Sequence, residues 1–213
     1  METEQLKIFD REKNPIGVAS REEVHRLGHW HETFHCWFIS SEEGRDYVYL
    51  QMRSDYKKDY PGLLDITAAG HLLAKETVHD GVREVEEELG VKVAFQDLSS
   101  LGIIDYSVYN GELIDKEFAH VFLYNCSLHF NDFKLQAGEV SGIVRTEFKQ
   151  FASLWIGETD EIEVEGFYVD NVGNKKNMTR IVTKNHFVPH ESSYYEAIIH
   201  GIRTNMTKNQ LPL

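Results

Sequence analysis

Glu84, Glu87 and Glu88 stand at i, i+3 and i+4 in the run Arg83-Glu84-Val85-Glu86-Glu87-Glu88-Leu89-Gly90. On a helix that spacing gathers their carboxylates on one face. Like charges stacked this way cost roughly a few tenths of a kcal/mol per pair on an isolated helix. A hard divalent cation removes that penalty, and Mg²⁺ is held by a few carboxylates together with substrate phosphates and water. Val82, Val85 and Leu89 repeat at i, i+3 and i+7, which gives the helix an opposite, buried stripe, and Gly90 gives it a stop. A cation held there would polarise a phosphoryl oxygen and acidify a bound water, the chemistry of phosphoanhydride hydrolysis. A glutamate-rich helix is by itself an ordinary solvated face, so the case rests on the residues around it.

The stretch from Gly70 to Val91 resembles the Nudix box, G-x5-E-x7-R-E-U-x-E-E-x-G-U with U aliphatic. Gly70 and Glu76 fit its first half, and Arg83, Glu84, Val85, Glu87, Glu88, Gly90 and Val91 fit its second. The interval from Glu76 to Arg83 is one residue shorter than the family pattern. The resemblance implies that Glu84 and Glu88 bind metal directly, with Glu87 a ligand or a base. It implies that Gly70 offers its backbone carbonyl, that Glu76 pairs with Arg83, and that Mg²⁺ or Mn²⁺ is the cofactor. The implied activity is cleavage of a diphosphate (P–O–P) linkage in a nucleoside-diphosphate-X type small molecule. Glu139, in a Gly-flanked loop, matches where some Nudix hydrolases place a distal glutamate. Glu87, Glu88 and Glu139 are therefore the expected catalytic carboxylates.

Two further segments are similar to isopentenyl-diphosphate isomerases and their Nudix relatives. One is Ser20-Arg21-x-Glu23-Val24-His25 followed by His31-x3-His35; the other is Arg53-Ser54-x2-Lys57-x3-Pro61-Gly62-x2-Asp65. In the second, Arg53, Lys57 and Lys58 are placed to meet a diphosphate, with solvated loop lysines as the alternative. In the isomerases two arm histidines, the histidine after the box glycine and an acid pair surround a metal. His25, His31, His71, Asp115 and Glu117 stand at similar places here, with His25 to His31 one residue shorter. Glu117 is an expected metal ligand, and His25, His31, His71 and Asp115 are the candidates for a second metal. Imidazole with carboxylate suits Mn or Zn better than Mg. Isomerisation of isopentenyl diphosphate is the alternative function. It calls for a cysteine immediately before Gly70-His71, where this chain has Ala69, and the isomerases have a degraded box whereas this one is intact. Both departures favour hydrolysis. A catalytically silent diphosphate-binding module is a third reading, against which the complete carboxylate face argues.

To position these groups the chain must supply a scaffold. Leu6 to Phe9 and Ile16 to Ala19 read as strands around a polar turn, and Ser20 opens a short helix to about Leu27. Phe34 to Ser40 and Tyr47 to Arg53 read as a hairpin, and Leu63 to Ala69 as the strand entering the box. Leu98 to Val108 and Lys116 to Leu128 flank the turn signal Asn110-Gly111. Ile143 to Phe148 is a strand, and a helix begins at Lys149. Beyond it, Glu161 to Val169 and Thr179 to Val188 form a ribbon, Ser192 to Arg203 an amphipathic helix, and the tail from Asn205 is expected to fray. A two-stranded ribbon is marginal alone, so it should pack on the core or on a second subunit. The pattern predicts an α+β class, and the resemblance implies a Nudix-type α/β/α sandwich with a mixed sheet. The expected organisation is a single domain over 1–213: an N-terminal arm at 1–33, a catalytic core at 34–155 with the box at 70–91, and a C-terminal β-ribbon plus helix at 156–213.

The chain has 213 residues, 41% of them hydrophobic, which suffices for one core. Twenty-two basic against thirty-five acidic residues give −13, which argues against nucleic acid polymers and anionic membranes as partners and leaves a small-molecule diphosphate. The N-terminus is too polar for a secretion signal, and no apolar run approaches the roughly 20 residues of a membrane span. Cys36 and Cys126 sit in apolar, strand-like runs and are expected to be reduced thiols of a cytoplasmic protein. Trp30, Trp37 and Trp155 are expected in the core or at its rim. Family habit and the extra C-terminal elements suggest a homodimer. Nucleoside diphosphates, dinucleotides, sugar nucleotides and prenyl diphosphates share the P–O–P group, and the sequence does not choose among them.

Overall fold

The N-terminal arm is a hairpin followed by a helix, as its turn and cap residues require. β1 (Gln5–Phe9) and β2 (Pro15–Ser20) pair antiparallel. α1 (Arg21–Leu27) begins where the Ser20 hydroxyl accepts the Glu23 N–H at 3.3 Å, and it ends at Gly28 in the left-handed conformation. The computed structural model describes residues 4–111 and 113–210.

β3 (Trp30–Glu42) is the hub, and it extends on both sides of the stretch read from the sequence. It pairs antiparallel with β4 (Arg45–Arg53) and β6 (Ala68–His71), and parallel with β8 (Leu113–Asn125) from Trp30↔Lys116 to Ile39↔Asn125. β7 (Leu98–Asn110) lies outside β8. On the other side β4 pairs with β9 (Val140–Glu147), which pairs with β10 (Ile162–Val169), which pairs with β11 (Lys175–Val182). One parallel pair among antiparallel ones makes the sheet mixed, as expected.

The two faces of β3 follow its period of two. Phe34, Cys36 and Phe38 face α2 (Arg83–Leu89), whose buried Val85 and Leu89 close that layer. Each such side chain contributes about 1.5–3 kcal/mol on burial. Trp37 and Ile39 face the other layer, α3 (Phe148–Ile156) and α4 (Ser192–Gln210). Tyr194, Tyr195, Ile198, Ile199 and Ile202 form the buried stripe of α4. The sheet is thus sandwiched between helices, as the resemblance implied. Cys36 and Cys126 are buried free thiols, and Trp37 and Trp155 are in the core.

Three expectations need correction. Leu63 to Ala69 is not one strand: β5 (Leu64–Asp65) and β6 are separated because side chains take over the backbone bonding. Asp65 Oδ1 accepts the Ile66 N–H at 2.8 Å, and Thr67 Oγ1 accepts the Phe38 N–H at 3.0 Å. The C-terminal ribbon packs on the core, the first of the two placements expected for it, with β10 continuing the central sheet beside β9, but its second strand is displaced from the expected Thr179 to Val188. Its second strand ends at Val182; a 3-10 turn at Lys184–His186 follows, and Phe187 bridges to Leu64. The segment from Asn205 does not fray within the described residues. α4 runs to Gln210, and Met206 packs against the core; 211–213 lie outside the described residues.

Candidate active site

α2 carries its carboxylates to a cavity of about 590 Å³. A 3-10 turn at Asp80–Val82 runs straight into the helix, and Gly90 ends it at φ 67°. Glu84 and Glu88 turn inward, while Glu87 stays on the rim with a side chain 58% exposed. Glu88 Oε2 accepts the Ala69 N–H at 3.1 Å and the Gln51 amide at 3.2 Å. Glu84 Oε1 accepts from Arg83 Nη1 at 2.7 Å. Burial and then the Glu84 charge push the Glu88 carboxyl up to about 8, and burial pushes Glu84 up to about 7. Arg83 beside Glu84 and Lys57 near Glu88 offset only part of this buried negative charge, and a divalent cation fits the remainder. Gly70 makes room for them: a Cβ there would lie 2.2 Å from the Glu84 carboxyl. Arg83 holds the rim together, reaching Glu76, Glu84, Glu87 and the His71 carbonyl.

The histidines meet at the other end of the same cavity. The rings of His25, His31 and His71 lie 5.1–5.2 Å apart, centroid to centroid. His25 Nδ1 is 2.8 Å from the Arg21 carbonyl and His31 Nδ1 is 3.1 Å from the His29 carbonyl. A carbonyl only accepts, so both Nδ1 atoms carry a proton, and in the neutral ring each Nε2 presents a lone pair; against its burial, Asp115 holds His25 above the usual imidazole range. Those Nε2 atoms each stand 3.5 Å from Asp115 Oδ1. Among the described residues, His31 Nε2 and Asp115 Oδ1 are buried without a hydrogen-bond partner. Burial pushes the His31 imidazole down to about 4, which keeps it neutral. His25, His31 and His71, and His31 with Asp115 and Glu117, form groups whose ligand atoms lie within 4.8 Å of one another. Backbone-tethered imidazoles facing one orphaned carboxylate oxygen suit a bound transition metal. Glu117 belongs to this cluster: its bonds go to Thr33, His35 and Tyr106, not to α2.

A third wall comes from the loop after β4 and from the C-terminal segment. Lys57 lines the cavity and pairs with Glu139. Lys58 is exposed and outside it, which corrects the expectation that it meets substrate. Arg53 lines the cavity, but its guanidinium is committed. Nη1 donates to Asp65 Oδ2 at 2.9 Å, and Nε and Nη2 donate to the Asp59 carbonyl at 3.1 and 2.8 Å. His190 holds the other oxygen of Asp65 at 2.9 Å.

Sequence reasoning missed Thr33, Tyr106, Asp65, His190 and Tyr194 and gave His35 no role. For Thr33 and His35 a signal existed, since they follow His31 at i+2 and i+4 and share its face of β3. Nothing in the sequence links Asp65 to His190, which are brought together by the fold.

The NUDIX domain family matches residues 29–163. An uncharacterised Nudix hydrolase of Clostridium acetobutylicum is 37% identical over 202 residues, covering 95% of this chain and 98% of its own length. Nudix hydrolase 3 of Arabidopsis thaliana is 33% identical over 158 residues, 71% of this chain but 20% of its own length. An isopentenyl-diphosphate Delta-isomerase of Serratia proteamaculans is 31% identical over 121 residues, 56% of this chain and 65% of its own. Among solved structures, DR0079 from Deinococcus radiodurans superposes with a TM-score of 0.50 at 18% identity, covering 72% of this chain and 90% of that one. A MutT/nudix family protein from Enterococcus faecalis gives 0.52 at 11% identity, over 83% and 62%. These two attest the fold. Together with the box carboxylates gathered on α2, the match over the core places this chain in the Nudix family, as a hydrolase of diphosphate linkages.

Proposed function

We propose that this chain cleaves the diphosphate linkage of a nucleoside-diphosphate-X type small molecule, with Mg²⁺ or Mn²⁺ as cofactor. The observation that carries this reading is the pair of buried carboxylates, Glu84 and Glu88, turned into one cavity beside a glycine backbone, both held above the usual carboxylate range by burial. Glu84, Glu88 and the Gly70 carbonyl would hold the ion, with Glu87 joining from the rim. A bound divalent cation supplies Lewis acidity to a phosphoryl oxygen and acidifies water. The chain's own groups do the rest. The Lys57 ammonium neutralises phosphate charge as substrate enters. Glu139, tethered by Lys57, accepts the proton of the attacking water, with Glu87 and Glu88 as the other candidate bases among the cavity's carboxylates. Arg53 shapes the wall through Asp65 and Asp59 rather than reaching substrate.

His25, His31, His71, Asp115 and Glu117 would hold a second metal, of the Mn or Zn kind. A cavity of about 590 Å³ suits a small molecule. In this reading the chain works as one domain over 1–213. The arm at 1–33 supplies His25 and His31, and the extension at 156–213 supplies His190. Isomerisation is disfavoured, because Ala69 lines the cavity where a cysteine is called for, and Cys36 and Cys126 are buried in the core. The test is release of phosphomonoester products, read as free phosphate after added phosphatase, across a panel of nucleotide, sugar-nucleotide and prenyl diphosphates, with isopentenyl diphosphate isomerisation run alongside. Release that is abolished by chelation and restored by Mg²⁺ or Mn²⁺ is expected. Isomerisation without phosphate release would overturn the reading.

A further inference from the structure

α4 lies outside the region matched by the NUDIX domain family, yet its first turn sends a side chain into the buried polar network beneath the histidine cluster. Tyr194 is fully buried. Its hydroxyl is 3.2 Å from Trp37 Nε1 and 2.9 Å from His35 Nδ1. The indole N–H only donates, so the tyrosine oxygen accepts there. The remaining partner for the tyrosine proton is His35 Nδ1, which must therefore be the bare nitrogen. The His35 proton then sits on Nε2, 3.2 Å from both Thr33 Oγ1 and Glu117 Oε2. Thr33 Oγ1 itself donates to Glu117 Oε2 at 2.8 Å, and the Tyr106 hydroxyl donates to the same oxygen at 2.7 Å.

Every donor in this chain has one consistent direction: Trp37 to Tyr194, Tyr194 to His35, His35 to Glu117. Three donors converge on Oε2 of Glu117 and none of the described residues donates to Oε1. A carboxylate anchored through one oxygen keeps the other for a cation, and partners behind a ligand of this kind fix its orientation.

We propose that Tyr194 is a positioning residue: through His35 it anchors one oxygen of Glu117 and leaves the other to the His25–His31–His71 cluster, so that the C-terminal helix is part of the active site. The inference rests on reading that cluster as a second metal centre. The tyrosine ring packs among Trp37, Tyr106, His190 and Tyr195 whether or not it carries a hydroxyl. Tyr194→Phe therefore keeps the packing and removes the relay, leaving the Trp37 N–H and His35 Nδ1 without their partner.

The experiment has two readouts on the full chain. Long-range ¹H–¹⁵N correlation of the metal-free protein, with His35 assigned by its absence in His35→Gln, reads the tautomer directly. The Nε2–H form is expected, and the Nδ1–H form in the wild type would overturn the proposal even if every variant failed to fold. Co²⁺ titration, followed by its visible absorption, reads the metal centre. Tyr194→Phe is expected to bind about 10- to 100-fold more weakly. Tyr195→Phe, whose hydroxyl donates to the Val188 carbonyl at 2.9 Å, is expected to bind as the wild type does. Equal Co²⁺ affinity in wild type and Tyr194→Phe would overturn the positioning role. A wild type that binds no Co²⁺ at the histidines would instead overturn the second-metal reading, and this inference with it.

Discussion

Arg83 grips Glu76 through two parallel hydrogen bonds, Nε to Oε1 at 2.6 Å and Nη2 to Oε2 at 3.0 Å. The box interval that separates them is one residue short of the family pattern, yet the 3-10 turn at Asp80–Val82 leads directly into α2 and the two side chains still meet. The pair does more than staple the loop, since the same guanidinium steadies Glu84 and Glu87 from Nη1. Glu76→Ala frees Arg83 to collapse onto Glu84 and compete with a cation there. Loss of a bidentate charge-assisted pair should lower unfolding free energy by about 2 kcal/mol. Urea denaturation measures that loss, and a rise in the Mg²⁺ concentration needed for half-maximal turnover checks the competition.

Gly70→Ala tests the space beside the carboxylates. The added methyl would meet the Glu84 carboxyl at 2.2 Å. Because Arg83 holds that carboxyl from the far side, the side chain cannot simply swing clear. The expected outcome is a folded protein, judged by circular dichroism, whose Mg²⁺ affinity by calorimetry drops about tenfold or more, as for other disturbances of metal-ligand geometry. Wild-type affinity would show that Glu84 is not a ligand.

Glu88→Gln removes the charge and keeps the shape. The amide oxygen still accepts the Ala69 N–H, so β6 stays in place against α2. Loss of a cation-binding carboxylate should remove about 3 kcal/mol or more of transition-state stabilisation, roughly a hundredfold or more in kcat. Steady-state kinetics at saturating Mg²⁺ separates this from weaker metal binding, and an unchanged kcat refutes the assignment.

The parts of the site that were legible in the sequence are those set by local spacing. Glu84 and Glu88 share a helix face because three or four residues make a turn, and Gly90 and Ser20 mark helix ends by their own backbone and side-chain chemistry. His25, His31 and His71 were gathered through a resemblance, and the fold does bring them together. Arg53 and Lys58 misled because a basic side chain in a loop carries no mark of what it faces. Arg53 turned inward to Asp65, and Lys58 turned to solvent. The Asp65–His190 and His35–Tyr194 contacts join residues far apart in the chain, and only the packing of α4 on the sheet creates them.

Asp65 should impose a low-pH limit on stability. Burial works to raise its carboxyl; the His190 hydrogen bond and the charges of His190 and Arg53 overcome that and bring it from 3.8 to about 2. The folded pKa lies below the unfolded one, so the stabilisation is complete above about pH 4 and is lost as pH falls through 2. The amount is about 2 kcal/mol for this buried group. Unfolding free energies of the wild type and Asp65→Asn, measured from pH 2 to 6, should differ most at the upper end and converge at the lower. A constant difference across that range would mean that Asp65 is not held ionised by Arg53 and His190.

Lys57 and Lys58 are neighbours in sequence with opposite surroundings, and that contrast makes a paired test. Lys57 lines the cavity and is paired with Glu139, which lines it too. Its ammonium both meets the phosphates and, through that pairing, aims the base. Lys57→Ala should therefore raise KM for the diphosphate and lower kcat, each by about tenfold, a scale consistent with one charge-assisted contact. Lys58 faces water, where a single charge contributes little at physiological salt. Lys58→Ala should leave both constants within about twofold of the wild type. Glu139→Gln completes the comparison: it keeps a hydrogen bond to Lys57 and removes the proton acceptor, so kcat should fall while KM holds. If Lys57→Ala and Lys58→Ala behave alike, the loop lysines are solvated bystanders and the diphosphate is held from another wall.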